Sequence, residues 1–385
     1  MFKIATLNKI SDSGLKHLKT GKYEISDSID NADGILVRSA SLHETEFPKS
    51  LLAIARAGAG VNNIPIDKCS EDGIVVFNTP GANANAVKEL VIAGLLLSSR
   101  NVIGGIEWAK TLDENVAAAV EKGKGQFAGQ EIEGKTLGVI GLGAIGVMVA
   151  NAARSLGMNV IGYDPYISID AAWGLSKTII RATNLKDIYE NSDYITLHLP
   201  FTPDTKEMIN DETLSKMKDG VRILNYARAQ LVSDTAIKKA LDSGKAACYI
   251  TDFPDGDIAK QKGVIAIPHL GASTEESEEN CAYMAAIEIK AYLEEGSIVN
   301  SVNYPEVNLP RGEGKRLGVF HKNIPNMLTQ ISGEFAKLHI NIENMLNKSK
   351  KENAYTIVDV IGDIPTEIVD NLMKIDGIQR VRIID

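Results

Sequence analysis

Leu137-Gly-Val-Ile-Gly-Leu-Gly-Ala-Ile-Gly146 joins an apolar, strand-like run directly to a glycine-rich turn. In such a turn Gly141 makes the sharp bend after the strand, Gly143 leaves room for a pyrophosphate against the backbone, and Gly146 lets the following helix pack closely on the sheet. The helix N-terminus then faces the anion. A merely flexible loop could carry the same glycines, so the flanking sequence decides. Val147 to Leu156 has apolar positions at helical spacing and stops at Gly157. A second strand, Asn159-Val-Ile-Gly-Tyr163, ends at Asp164. That puts an acid about 20 residues past the first glycine, where a carboxylate accepts hydrogen bonds from the adenosine ribose and repels a 2′-phosphate. The unit predicts NAD rather than NADP; the competing reading of Asp164-Pro165 is a strand-ending turn.

The whole chain suits that reading. Its 385 residues are long for one compact domain and fit two or three. A net charge of −9, with no basic run longer than a Lys pair, argues against a nucleic-acid surface. Cys69, Cys248 and Cys281 are far apart, with neither metal-ligand spacing nor a Cys-x-x-Cys pair, and read as reduced thiols. No metal is expected. The start, Met1-Phe-Lys-Ile-Ala-Thr-Leu7, lacks a signal-peptide pattern, and no long uninterrupted apolar run is present, so a soluble cytoplasmic protein is expected.

Short strands at Ile4–Leu7, Gly34–Val37 and Ile74–Phe77 alternate with helical stretches, predicting a small parallel α/β domain over residues 1–98. A dinucleotide domain over 99–280 adds strands at Tyr194–His198, Arg222–Asn225, Ala247–Thr251 and Val264–Ile267. The helical stretch Asn280–Glu295 is expected to return the chain to the first domain, which then comprises 1–98 and 281–302. Residues 303–315, rich in Pro and Gly, read as a linker. Residues 316–385 follow the order βαββαβ, a ferredoxin-like unit. Such a unit barely buries a sufficient core alone, which predicts pairing with a second copy.

Ligands of open α/β sheets bind at the carboxyl ends of strands. After Arg222–Asn225 comes Tyr226-Ala-Arg228, whose guanidinium can grip a carboxylate by two parallel hydrogen bonds and polarise a neighbouring keto oxygen. After Val264–Ile267 comes Pro268-His269, an imidazole suited to proton exchange near neutrality. Between them, Thr251-Asp-Phe-Pro-Asp-Gly-Asp257 supplies acids to orient that imidazole.

Asn225-Tyr-Ala-Arg228, Ile267-Pro-His-Leu-Gly-Ala-Ser-Thr274 and Gly141-Leu-Gly-Ala-Ile-Gly146, with Arg38-Ser39, Gly58-Ala-Gly-Val-Asn62 and Asn78-Thr-Pro-Gly-Ala-Asn83, resemble the D-isomer-specific 2-hydroxyacid dehydrogenases over essentially the whole chain. The tail resembles an ACT domain through His321-Lys-Asn-Ile-Pro325 and Asn341. The resemblance implies an α/β protein with a Rossmann NAD-binding domain inserted in a flavodoxin-like substrate domain, followed by the ACT unit. It implies that Arg228 holds the substrate carboxylate while His269 takes the C2 hydroxyl proton. Gly141, Gly143, Ala144, Ile145, Gly146 and Asp164 would hold the adenosine and pyrophosphate side of NAD. Tyr226, Ala227, Thr251 and Asp252 would lie near the nicotinamide, and Arg38, Ser39 and Asn83 would meet the substrate.

One departure is evident, since the family's usual glutamate partner of the histidine falls at Gly256. Asp255 is the expected replacement, with Asp257 and plain solvation as alternatives. In the tail, His321, Asn323 and Asn341 match positions at which ACT domains of this kind hold serine across a dimer interface, although Asn326 stands where glycine is usual. The expected substrate is 3-phospho-D-glycerate, with serine as effector and a homodimer or homotetramer as assembly. A reductase acting on glyoxylate or hydroxypyruvate, and a non-catalytic NAD-gated scaffold, are the alternatives.

Overall fold

The computed structural model describes residues 1–312 and 314–384; Glu313, in the expected linker, and Asp385, at the end of the expected tail, lie outside the described residues. The chain forms two compact units, one built from residues up to Asn83 and from Glu275 onward, the other from Ala84 to Thr274.

In the first unit, β1 (Phe2–Leu7), β2 (Tyr23–Ser26), β3 (Gly34–Val37), β4 (Ala53–Arg56) and β5 (Val75–Phe77) form a parallel sheet in the order β2-β1-β3-β4-β5. This is the expected flavodoxin-like order, and it reverses direction between β1 and β3, the switch point where such sheets open a crevice. Strand β3 is buried along its whole length, as a strand covered on both faces must be. The sequence reading missed β2 and β4, each only four residues long. Helix Glu275–Glu295 covers this sheet through Ala282, Ala285, Ala286 and Ile289.

In the second unit, β6 (Thr136–Ile140), β7 (Asn159–Tyr163), β8 (Ile180–Arg181), β9 (Tyr194–Leu197), β10 (Val221–Asn225), β11 (Ala246–Thr251) and β12 (Val264–Ala266) form a parallel sheet. Their order is β12-β11-β10-β9-β6-β7-β8, the doubly wound arrangement expected. The unit begins at Ala84, whereas the sequence reading gave residues 84–98 to the first domain. The reason is packing: Val87, Val91 and Leu95 of helix Ala84–Ser99 share a core with Leu137, Leu224 and Ile250. At the other end the unit stops at Thr274 because the returning helix already starts at Glu275, not near Asn280.

The chain closes with β13 (Lys315–Lys322), β14 (Ile342–Lys350), β15 (Asn353–Val360) and β16 (Ile378–Ile384), an antiparallel sheet in the order β14-β15-β13-β16. With helices Met327–Lys337 and Thr366–Met373 this is the βαββαβ order read from the sequence. One face of the sheet packs on its two helices through Leu317, Val319, Ile331, Phe335, Val358 and Leu372. Its other face is not free. Phe320 stacks on Tyr355 at 4.4 Å and meets Tyr304 and Tyr292 edge-on, in the same core as Phe77 and Ile289. The tail, expected as a separate unit, thus finds within the chain the burial that about 70 residues lack alone.

Arg316, with no exposed surface, reinforces the seam: it pairs with Asp359 at 2.7 and 2.9 Å and donates to the carbonyls of Glu295, Leu309 and Pro310. A pair this buried is stable because its remaining N–H groups all find acceptors. No single described helix is long and apolar enough to cross a membrane.

Glu288 is buried in the first unit, where Oε1 accepts from Asn300 Nδ2 at 2.7 Å and Oε2 has no partner. Burial raises its pKa to about 8. Because the folded protein holds this proton more tightly than the unfolded chain, stability falls as pH rises through the window between the ordinary carboxyl pKa and about 8. Replacing Glu288 by Gln should therefore flatten the fall in melting temperature between acidic and alkaline buffers, a comparison that differential scanning calorimetry makes directly.

Candidate active site

The glycine turn follows β6. Gly141 has φ +92, and a Cβ there would lie 2.4 Å from the carbonyl oxygen of His198. A Cβ on Gly146 would lie 1.9 Å from the Gly141 carbonyl, whereas at Gly143 nothing stands within 4 Å. Two glycines are thus required by close approach, and the third borders open space. Helix Ala144–Ser155 starts there with Gly143 as N-cap and no side-chain cap. Its first N–H groups have no intrahelical acceptors and face that space, an anion site by construction. Ala144 is exposed and Ile145 half-buried at its rim.

Asp164 secures the turn. Its Oδ2 accepts from Leu142 N at 2.8 Å and its Oδ1 from Tyr166 N at 2.8 Å, the strand-ending turn of the competing reading, tied also to the glycine turn. His198, at the end of β9 beside the turn, was not singled out from the sequence. Its Nε2 lies 2.9 Å from Thr196 Oγ1, and burial pushes its pKa down to about 3, so the ring stays neutral. The available signal was its place after the strand next to β6, where the sheet order reverses.

At the other half of this sheet edge, Asn225 ends β10 and shapes the next turn. Its Oδ1 accepts from the N–H groups of Ala227 and Arg228 at 3.2 and 3.3 Å, and its Nδ2 donates to Arg228 O at 2.8 Å. Arg228 is exposed, with its NH1 resting on the carbonyl of Ala227. Tyr226 points the other way: its hydroxyl fills the space that Gly94 leaves open in helix Ala84–Ser99, and burial raises its pKa. Its ring is therefore core, and only the backbone of Tyr226-Ala227 borders the sheet edge.

His269 is exposed with φ +55, a left-handed backbone uncommon for a residue with a Cβ. Buried Asp252 holds the loop in place by accepting from Leu270 N at 2.7 Å and Gly271 N at 2.8 Å. Desolvation raises the Asp252 pKa, and the two N–H groups oppose that shift. Thr251 Oγ1 accepts from Phe253 N at 3.0 Å, which sets the Phe253 ring 5.0 Å from the imidazole. Among the described residues no hydrogen bond or ion pair joins His269 to Asp255 or Asp257. The expected Asp255 pairing is not made: Asp255 precedes a short helical turn near Asp234 without a side-chain cap hydrogen bond, and an aromatic ring lies beside the imidazole.

In the first unit, Arg38 and Ser39 follow β3 at its switch point. Asn8 Oδ1 accepts from Ser39 N at 3.0 Å and Ala40 N at 2.8 Å. The carbonyl of Arg38 accepts from Arg56 Nε at 3.0 Å, so two guanidinium groups leave adjacent strand ends, and Arg56 is a cation that the sequence reading missed. Gly58 is tied to it, since a Cβ there would lie 2.5 Å from Arg56 NH1.

Residues 94–271 match the family model of the D-isomer specific 2-hydroxyacid dehydrogenase NAD binding domain. The chain is 32% identical over 380 residues to the D-3-phosphoglycerate dehydrogenase of Haemophilus influenzae, covering 94% of this chain and 88% of that one. It belongs to the D-isomer specific 2-hydroxyacid dehydrogenase family. The D-3-phosphoglycerate dehydrogenase of Methanocaldococcus jannaschii is likewise 32% identical over 378 residues, 91% of this chain and 69% of that one. Among solved structures, the NAD+-bound 3-phosphoglycerate dehydrogenase of Entamoeba histolytica superposes with a TM-score of 0.63 at 28% identity, over 78% of this chain and 98% of that one. As a member of an NAD-dependent family, this dehydrogenase uses NAD as its cofactor, and the open space at Gly143 with the uncapped helix behind it fits the pyrophosphate.

In the tail, His321 is buried, its Nδ1 facing the Lys322 carbonyl at 2.8 Å and its Nε2 lying 2.9 Å from Thr356 Oγ1 and 3.2 Å from Asn347 Oδ1. Burial lowers its pKa. Asn323 donates to the Lys351 carbonyl at 3.1 Å, and Asn341 is exposed. Asn326 takes φ +69, the left-handed backbone that asparagine tolerates in place of glycine.

Asp252→Asn turns one of the two accepting oxygens into a donor facing a backbone N–H. The expected loss is about 1–3 kcal/mol of stability, together with reduced turnover as the His269 loop loosens; urea unfolding and steady-state rates on the same preparation check both.

Proposed function

We propose that this enzyme oxidises 3-phospho-D-glycerate to 3-phosphohydroxypyruvate with NAD, the first step of serine synthesis, as a soluble cytoplasmic protein. The observation that carries this choice is the relationship to two D-3-phosphoglycerate dehydrogenases along nearly the full chain. The pair of guanidinium groups at Arg38 and Arg56 adds to it, because a phosphorylated acid carries an anionic group beyond its carboxylate and glyoxylate does not.

In this reading Arg228 holds the substrate carboxylate by two parallel hydrogen bonds and draws electron density from the adjoining C2 oxygen. His269 accepts the C2 hydroxyl proton as the carbonyl forms. NAD, when bound, supplies the acceptor for the C2 hydride. Ser39 and Asn83, with Arg38, contact the rest of the substrate. The retained Arg228 and His269 favour an enzyme over an NAD-gated scaffold.

Purified protein given NAD and 3-phosphoglycerate should produce NADH faster than with any unphosphorylated D-2-hydroxy acid. His269→Asn should lower kcat by about 10²–10⁴-fold. Equal rates with D-glycerate and 3-phosphoglycerate would exclude the assignment.

We further propose serine as an inhibitor held by His321, Asn323 and Asn341 in a homodimer or homotetramer. Because the His321 ring already meets Thr356 and Asn347, serine must compete with those contacts, so its binding should be weak in wild type and tighter in Thr356→Val, as read by titration calorimetry.

A further inference from the structure

The phosphate contact assigned above to Arg38 is already occupied by the protein itself. Glu278, in the first turn of helix Glu275–Glu295, places Oε1 2.8 Å from Arg38 NH1. The backbone that carries Arg38 is held in place: Asn8 holds the two following N–H groups and Arg56 holds its carbonyl. The Arg38 and Arg56 charges both act on the Cys281 thiol, one helical turn beyond Glu278, where they oppose the upward shift that burial imposes. The two cations therefore share one neighbourhood, and Glu278 is in contact with Arg38 there.

We infer that Glu278 is an internal anion that competes with the substrate's phosphate for Arg38 and so raises the KM for phosphorylated substrate. This rests on the function proposed above. Side-chain exposures of 38% for Arg38 and 46% for Glu278 make the pair easy to open, since ion pairs in contact with water are worth little and either partner can be solvated. A phosphate brings up to two negative charges and three acceptor oxygens to the same guanidinium, so it displaces a monovalent carboxylate. Glu278 left beside a bound phosphate would repel it and must swing into water. An unphosphorylated hydroxy acid has no group to exchange at Arg38 and leaves the pair closed.

The test compares wild type with Glu278→Gln. The substitution should lower the KM for 3-phosphoglycerate by about 2- to 5-fold, the factor that a surface ion pair of up to about 1 kcal/mol can set. The change should fall in KM rather than kcat, and the KM for D-glycerate should stay unchanged. A higher KM would mean that Glu278 positions Arg38 instead, and an equal shift for both substrates would mean a general structural effect; either overturns the inference. If 3-phosphoglycerate is not oxidised at all, the functional reading fails, and titration of both proteins with inorganic phosphate still decides the point. Tighter phosphate binding by Glu278→Gln supports the competition, and equal or weaker binding refutes it.

Discussion

Loops at the carboxyl ends of strands must satisfy their own backbone N–H groups while leaving side chains free for a ligand, and in this chain the same device meets that demand four times. Asn8 after β1, Asn225 at the end of β10 and Asp252 after β11 each accept from two backbone N–H groups of one loop, and Asp164 after β7 accepts from one in the glycine turn and one in its own loop. Each loop thereby keeps a fixed path without using its functional side chain as an anchor. Arg38, the glycine turn, Arg228 and His269 all stand on loops held in this way. A short carboxylate or carboxamide is suited to the task because it reaches nearby N–H groups with little side-chain entropy to lose.

The glycine turn shows how tightly the same constraint binds. With Gly141 pressed against the His198 carbonyl and Gly146 against Gly141, the helix can start only where it does, and its unpaired N–H groups open on the one spot that a side chain would otherwise fill. A pyrophosphate held here would rely on what is missing. No cation stands in the turn itself, Leu142 to Gly146, so charge balance with a pyrophosphate falls to the helix dipole and the N–H groups.

Most of this frame could be read in the sequence, because it rests on local patterns. The Leu137–Gly146 stretch, the βαββαβ order of the tail and the positions of Arg228 and His269 at strand ends all follow from short-range periodicity and turn chemistry. What escaped the reading was set by distant packing. Four-residue strands such as Ala53–Arg56 carry too little periodicity to stand out, and with that strand went Arg56. Helix Ala84–Ser99 was assigned to the wrong unit because nothing in its own sequence says which sheet its Val91 and Leu95 will meet. Tyr226 was read as a ligand neighbour from its place after a strand, yet the small Gly94, more than a hundred residues away in sequence, draws its ring into the core.

His269 brings these points together. A left-handed backbone at a non-glycine residue costs of order 1 kcal/mol and persists only where its surroundings over-determine it. Here they do: Asp252 grips the next two N–H groups, Ile267 accepts from the His269 N–H at 2.9 Å, and Phe253 lies against the ring. Among the described residues neither Asp255 nor Asp257 pairs with His269, so backbone geometry and the neighbouring aromatic ring orient the imidazole. Backbone geometry and the Phe253 ring together therefore fix where this imidazole stands.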